Sequence, residues 1–163
     1  MDRVAIALGS NLGDRVAHLD FAVSRLQTIL SRVLVSRYHD TVPVGVTGPQ
    51  PVYLNAAVVG DTALSADALL KKLLAIEAER GRARPHVNAP RTLDLDLILY
   101  GDAVIDRPSL TVPHPRFRER RFVLEPLAEI APQLRDPVTG STISELLDKA
   151  GWGFPRSPDF RPL

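Results

Sequence analysis

Residues 93–100, LDLDLILY, alternate apolar and acidic side chains before running apolar to a closing tyrosine. A period of two is the signature of a strand with one face turned to a core. On that spacing Leu93, Leu95, Leu97 and Leu99 share the buried face, and Asp94, Asp96, Ile98 and Tyr100 share the other. Asp is a poor strand former, so two in succession on one face call for a reason. Their backbone positions lie roughly 7 Å apart, and left unpaired the two charges repel each other.

The neighbouring segments narrow the fold. Arg3–Leu8 reads as a buried strand stopped by GSNLG, and Asp14 can cap a helix striped by Val16, Leu19, Val23, Leu26 and Leu30. Val33–His39 and Tyr53–Val59 read as strands, separated by a loop carrying Pro43, Gly45, Gly48, Pro49 and Pro51. Ser65 caps a helix through Arg80, striped by Leu69, Leu70, Leu73, Leu74 and Ile76. A second loop, 81–90, is rich in Arg and Pro. After the acidic strand come a turn at Gly101-Asp102, a short strand at 103–105, a loop over 108–121, and short helices at 127–131 and 143–149.

The order strand, helix, strand, strand, helix, strand predicts an α+β ferredoxin-like sandwich. Its sheet is mainly antiparallel, with helices packed on one face and ligand loops on the other. A doubly wound parallel sheet is disfavoured, because no helix joins Val33–His39 to Tyr53–Val59.

A chain of 163 residues suits one domain over 1–163, with the proline-rich 151–163 expected as a loosely held tail. A net charge of +1 argues against attachment to nucleic acid by bulk electrostatics. The absence of cysteine excludes disulfides and thiolate zinc. No apolar run reaches membrane-spanning length, and the N-terminus lacks a signal-peptide pattern. The expectation is a cytoplasmic monomer with small-molecule substrates, and neither nucleic acid nor membrane as partner.

Chemistry gathers around the acidic strand. Carboxylates at this spacing can converge on two divalent ions about 4 Å apart, as in two-metal phosphoryl chemistry. Mg²⁺ suits them, being hard and usually held by one or two carboxylates plus phosphate oxygens. Arg80, Arg82, Arg84 and Arg91 precede the pair, and Arg116, Arg118, Arg120 and Arg121 follow it. Two Arg-bearing loops flanking carboxylates form a clamp for a polyphosphate with its metal.

Glu77 falls inside its helix's apolar stripe, where it either meets a ligand or pairs with Arg80 or Arg91. Tyr53 and Asn55 share a strand face. Tyr can stack on a flat heterocycle and Asn can read its edge, although Asn can equally bond a neighbouring loop. Phe122 follows the second Arg cluster and can close a ring pocket. His114, between Pro113 and Pro115, is held extended and suited to donate to phosphate. The same aspartates also fit nucleotidyl transfer at an α-phosphorus. A third reading, an RNA-binding module on the open sheet face, is opposed by the acidic pair and the scarcity of aromatics.

The stretches ALGSNLGDR, YLNAA, GRAR, PRTLDLDLILYG and LTVPHPRFRERRFVLEPL, in this order from Val4 to about Pro137, resemble the hydroxymethyldihydropterin pyrophosphokinase family of folate biosynthesis. The resemblance implies transfer of the diphosphoryl group of ATP to the hydroxymethyl group of a reduced pterin, releasing AMP. It implies two Mg²⁺ ions on Asp94 and Asp96, with Arg82 and Arg91 on the transferring phosphates. It implies ATP as co-substrate, surrounded by Glu77, Arg84, Ile98, Thr111, His114 and Arg120. The pterin is implied between Tyr53 and Phe122, read by Asn55 and by the loop at Thr41, Val42 and Val44. The chain departs from the family pattern at Asn88-Ala89, where many members have Trp-Gly. It departs again at Ser109 in place of a basic residue, and at Pro115 in place of an aromatic.

Overall fold

The computed structural model describes residues 1–41, 53–81 and 92–150. Its elements in chain order are β1 (Asp2–Ser10), α1 (Arg15–Ile29), β2 (Ser31–Val35), β3 (His39–Thr41), β4 (Tyr53–Thr62) and α2 (Ala66–Gly81). They continue with β5 (Asp94–Tyr100), β6 (Ile105–Arg107), β7 (Leu110–Val112), a 3₁₀ turn η1 (Phe117–Glu119), α3 (Arg121–Ile130) and α4 (Ile143–Ala150). The main sheet runs β2-β4-β1-β5, with β3 continuing beside β4, and every pairing is antiparallel. This is the expected α+β arrangement.

Alternation along β1 sorts the sheet into two faces. Val4, Ile6 and Leu8 join Leu54, Ala56 and Val58 of β4 and Leu93, Leu95 and Leu97 at β5. Onto that face pack Leu19 and Leu26 of α1 and Leu69, Leu73 and Ile76 of α2. On the reverse face Ala5, Ala57 and Val59 meet Val123, Leu124 and Leu127 of α3 and Ile143 and Leu146 of α4. Helices therefore stand on both faces, and α3 and α4 occupy the side expected for loops. Gly9, Asn55, Asp94 and Asp96 belong to neither core cluster, so one end of the reverse face is left for other contacts.

Both expected caps form: Asp14 Oδ1 accepts from Ala17 N and Ser65 Oγ accepts from Ala68 N, each at 3.1 Å. The apolar stripes are narrower than the periodicity predicts, since Val16 and Leu74 are half exposed, at 51% and 53%. The predicted strand Val33–His39 is broken into β2 and β3. At the break Ser36 N donates to Ala57 O and Ser36 Oγ accepts from Ala57 N, both at 2.9 Å. The hydroxyl thus stands in for a main-chain acceptor and lets the edge bend.

Further expectations need correction. Strict alternation along β5 fails at a bulge: Ala5 pairs with Leu99 and Ile6 with Leu97, leaving Ile98 extra. Ile98 and Leu99 therefore both enter the second core cluster, while Tyr100 packs against the first and donates its hydroxyl to Leu64 O. Tyr100 is thus not on the aspartate face, and Leu99 is not with the other leucines. The stretch expected as loop over 108–121 contains β7, which pairs with β6, and η1. The following helix starts at Arg121 rather than at 127. Pro126 inside α3 lacks an N–H to donate, which disguises the helix in the sequence; burial of Val123, Leu124 and Leu127 holds it.

Gly60 marks the tightest approach of β4 to the chain after α1. A Cβ there would lie 3.0 Å from Leu30 Cβ and 3.3 Å from Ser31 O. Gly60→Ala is expected to cost about 1–3 kcal/mol by overpacking, read as a lowered urea midpoint at unchanged m-value.

Candidate active site

Strand register assembles the open end of the reverse face. His39, Asn55, Gly9 and Asp94 form one row across β3, β4, β1 and β5, and Ala57, Ala7 and Asp96 form the next. Residues in register share a face, and strands lie about 4.8 Å apart, so Asn55 and Asp94 are roughly 10 Å apart at the backbone. Between them the floor is Gly9 and Ala7, nearly bare of side chain. A Cβ on Gly9 would sit 3.2 Å from Asn55 Nδ2, so the Asn55 amide occupies the space that glycine leaves.

The Asn55 side chain is oriented by its neighbour. Thr41 Oγ1 donates to Asn55 Oδ1 at 2.5 Å, which turns Nδ2, with its two donors, toward Gly9. Asn55 is buried at 7% exposure, and Tyr53 is half-buried two residues along the same face. His39 opposite Asn55 hydrogen bonds through Nε2 to Glu129 Oε1 at 3.0 Å, tying the end of α3 to this corner.

At the other side of the floor, Asp94 and Asp96 are half-buried on β5, the sheet's edge. The Asp96 carboxylate makes no hydrogen bond or ion pair with any described residue. Glu77 Oε2 accepts from Leu95 N at 2.7 Å. An edge strand leaves such N–H groups unpaired, and the carboxylate in the apolar stripe of α2 closes this one.

His114 lies within reach of the Asp96 charge. Its N donates to Ile98 O at 2.9 Å, and its Nδ1 accepts from Arg116 N at 3.1 Å. An Nδ1 that accepts carries no proton, so the neutral ring bears its proton on Nε2 as a donor. Burial lowers the His114 pKa, aided by Arg120 and Arg116 and opposed by Asp96, which keeps that neutral donor form. Ile98 itself is buried at 1% in the second core cluster, and its carbonyl anchors His114. Thr111 Oγ1 donates to Arg107 O at 3.4 Å. Phe122 is 39% exposed, with the Arg120 guanidinium 5.6 Å from its ring centroid.

The two arginine clusters divide by role. Arg80 turns to α1, donating from Nε to His18 Nδ1 at 2.8 Å and lying 5.1 Å from the Phe21 centroid. Arg118 is engaged twice by Asp136, and Arg121 pairs with Glu125 at 3.3 Å. Arg116 and Arg120, beside His114, form no ion pair among the described residues. Val42, Val44, Arg82, Arg84 and Arg91 lie outside the described residues. The sequence reading missed Gly9, Ala7 and His39; the alternation of small with large residues along RVAIALGS was the available signal for the first two.

Residues 5–132 match the family model for 7,8-dihydro-6-hydroxymethylpterin-pyrophosphokinase (HPPK). The chain belongs to this family. It is 43% identical over 145 residues to the 2-amino-4-hydroxy-6-hydroxymethyldihydropteridine pyrophosphokinase of Synechocystis, covering 88% of this chain and 74% of that one. It is 44% identical over 151 residues to the enzyme of the same name from Methylorubrum extorquens, covering 91% and 94%. Identity to the folic acid synthesis protein fol1 of Pneumocystis carinii is 38%, over 91% of this chain but only 20% of that protein. The fold superposes on Plasmodium falciparum HPPK-DHPS with a TM-score of 0.73 at 14% identity, covering 91% of this chain and 44% of that one. Family membership makes the chain a pyrophosphokinase, a transferase of folate synthesis. Among the described residues no helix is long and apolar enough to cross a membrane.

Asp136 gives the HPPK fold here a measurable acid sensitivity. Burial raises the pKa of its carboxyl, but hydrogen bonds from Arg118, Thr139 and Val138 more than reverse this and hold it down to about 2, against an ordinary 3.8. A pKa depressed by folding adds stability that is complete above about pH 4 and is lost as pH falls through 2. That amounts to about 2 kcal/mol at neutral pH. Asp136→Asn is therefore expected to lower stability by about this much at pH 7, with the gap to wild type narrowing between pH 4 and 2 in denaturant titrations.

Proposed function

We propose that this HPPK transfers the β,γ-diphosphoryl group of ATP to the hydroxymethyl oxygen of 6-hydroxymethyl-7,8-dihydropterin. The alcohol oxygen bonds to the β-phosphorus and gives up its proton to water, the bond from that phosphorus to the α,β-bridging oxygen breaks, and AMP leaves with the electron pair. The observation that carries the reading is the floor of Gly9 and Ala7. It separates a neutral, amide-bearing corner at Asn55 from an acidic edge at Asp94 and Asp96.

At the neutral corner Asn55 offers Nδ2 donors to an acceptor on the pterin edge, because Thr41 already holds its oxygen. Tyr53 and Phe122 supply the flanking rings, and Val42 and Val44 complete the substrate loop. At the acidic edge Asp94 and Asp96 fit two Mg²⁺ ions. Among the described residues no group of three or more His, Asp or Glu could hold a metal, and Mg²⁺ bound by one or two carboxylates takes its other ligands from phosphate and water. When bound, the ions neutralise phosphate charge and polarise the transferred group.

His114 donates its Nε2 proton to a phosphate oxygen, and Arg120 adds charge beside it. Arg82 and Arg91 hold the transferring phosphates, while Arg84, Glu77, Ile98 and Thr111 shape the nucleotide site. Neutral recognition and charge stabilisation are thereby kept on separate elements, so that binding the alcohol does not neutralise the groups that meet the transition state.

The deciding assay mixes pterin alcohol, ATP and Mg²⁺ and resolves the nucleotide product. AMP with the pterin diphosphate supports the proposal; ADP, or free pyrophosphate with a nucleotidylated pterin, overturns it. Asp96→Ala is expected to cut turnover roughly a hundredfold or more with an unchanged unfolding midpoint. Gly9→Ala is expected to raise the KM for the pterin more than the KM for ATP, because the new methyl displaces the Asn55 amide. Equal changes in both constants would detach Asn55 from pterin binding.

A further inference from the structure

Asp136 is the most completely buried acidic residue described, with 0% exposure, and it touches none of the groups assigned above. Its carboxylate accepts from Arg118 Nε at 2.6 Å, Arg118 Nη2 at 2.9 Å, Val138 N at 3.0 Å and Thr139 Oγ1 at 2.7 Å. Its backbone closes the same loop, with Asp136 N donating to Ser141 O and Gly140 N donating to Asp136 O. The anchor is thus rigid on its own side.

On the other side Arg118 lies in the middle of η1. Its guanidinium stands 4.8 Å from the centroid of Phe117, a ring with no exposure at the centre of the second core cluster. Around it the turn is short of freedom. Phe117 N donates to His114 O, Glu119 N to Arg116 O and Arg120 N to Phe117 O. Arg116 N donates to His114 Nδ1. The His114 tautomer therefore depends on where η1 places the Arg116 amide, and the turn is fixed by a planar, two-point fork that a point charge cannot reproduce. A buried ion pair is a poor source of net stability compared with an apolar pair of similar shape; what it supplies is direction.

We infer that Asp136 is a positioning residue of the nucleotide side of the site, acting through Arg118 to hold His114 and Arg120 toward the acidic edge. The inference rests on the proposed placement of ATP beside His114.

The test compares wild type, Asp136→Asn and Arg118→Lys, each verified as folded by circular dichroism at the assay temperature. The expected result is a KM for ATP raised roughly ten- to a hundredfold, with the KM for the pterin within twofold of wild type. Nitrogen-15 spectra of the His114 ring, recorded without substrate, are expected to lose the pure Nε2–H tautomer in both variants. Arg118→Lys keeps the charge and loses the fork, so it carries the comparison should Asp136→Asn not fold. Lowered thermal stability with unchanged KM for ATP and an unchanged His114 spectrum would reduce the pair to a structural brace and overturn the inference. If wild type yields no AMP, the reaction assignment fails separately. The ring spectrum then decides alone, retention of the wild-type tautomer in both variants overturning the coupling and its loss upholding it.

Discussion

The central strand β1 carries large apolar residues on one face and almost nothing on the other, and the remaining architecture depends on that inequality. Val4, Ile6 and Leu8 bind the sheet to α1 and α2, each nearly without exposure. Burying such side chains contributes about 1.5–3 kcal/mol apiece, which makes this face the source of the fold's cohesion. Ala5, Ala7 and Gly9 leave the reverse face shallow. At one end that shallowness lets α3 and α4 settle close to the sheet; at the other it leaves a floor beside Asn55 and the aspartates. Filling the second face with branched residues would strengthen the core and close the site.

An edge strand is a difficult place for two carboxylates, because its outer N–H groups and its side chains both face water or partners. The fold answers with three separate contacts. Glu77 from α2 takes the Leu95 amide, Ile98 offers its carbonyl to His114, and the bulge at Ile98 turns Leu99 into the second core. The first lies on the N-terminal side of Asp96 and the other two at Ile98 on its C-terminal side, so the strand is held on both sides of that carboxylate. A site whose supports are distinct from its ligands can be loaded without unravelling the strand.

Much of this was readable before the structure, for physical reasons that are themselves local. The caps at Asp14 and Ser65, the strand bearing Asp94 and Asp96, and the shared face of Tyr53 and Asn55 follow from periodicity and from side-chain hydrogen-bonding habits. The failures are long-range. A bulge is a mismatch between two strands, so nothing within LDLDLILY announces that Tyr100 leaves the aspartate face. Pro126 argues locally against a helix that the second core nevertheless selects. The clustering of Arg116, Arg118, Arg120 and Arg121 in sequence suggested one phosphate clamp. Only the distant Asp136 reveals that Arg118 faces inward. Glu77 was legible as an anomaly, but its partner, a backbone amide of β5, was not.

Charge pairing away from the site is extensive in this chain of net charge +1. Arg3 and Arg32 both bind Asp61, Arg15 binds Asp40, Arg25 binds Glu79, Arg37 binds Glu129 and Arg107 binds Asp67. Those outside the buried Asp61 are of the exposed kind that adds little stability, about 0–1 kcal/mol each. Their electrostatic effect is to cancel these charges in place, which weakens the field they present to an approaching anion. Arg116 and Arg120, like Lys71, Lys72, Arg135 and Lys149, form no ion pair among the described residues, and the two arginines lie beside a histidine held neutral by burial. A polyanion beside His114 meets these two arginines, and the half-buried Asp94 and Asp96 make the attraction conditional. In the proposed reaction, an anion bearing no divalent counter-ion would meet Asp94 and Asp96 as repulsion, whereas one carrying its metal would meet them as ligands.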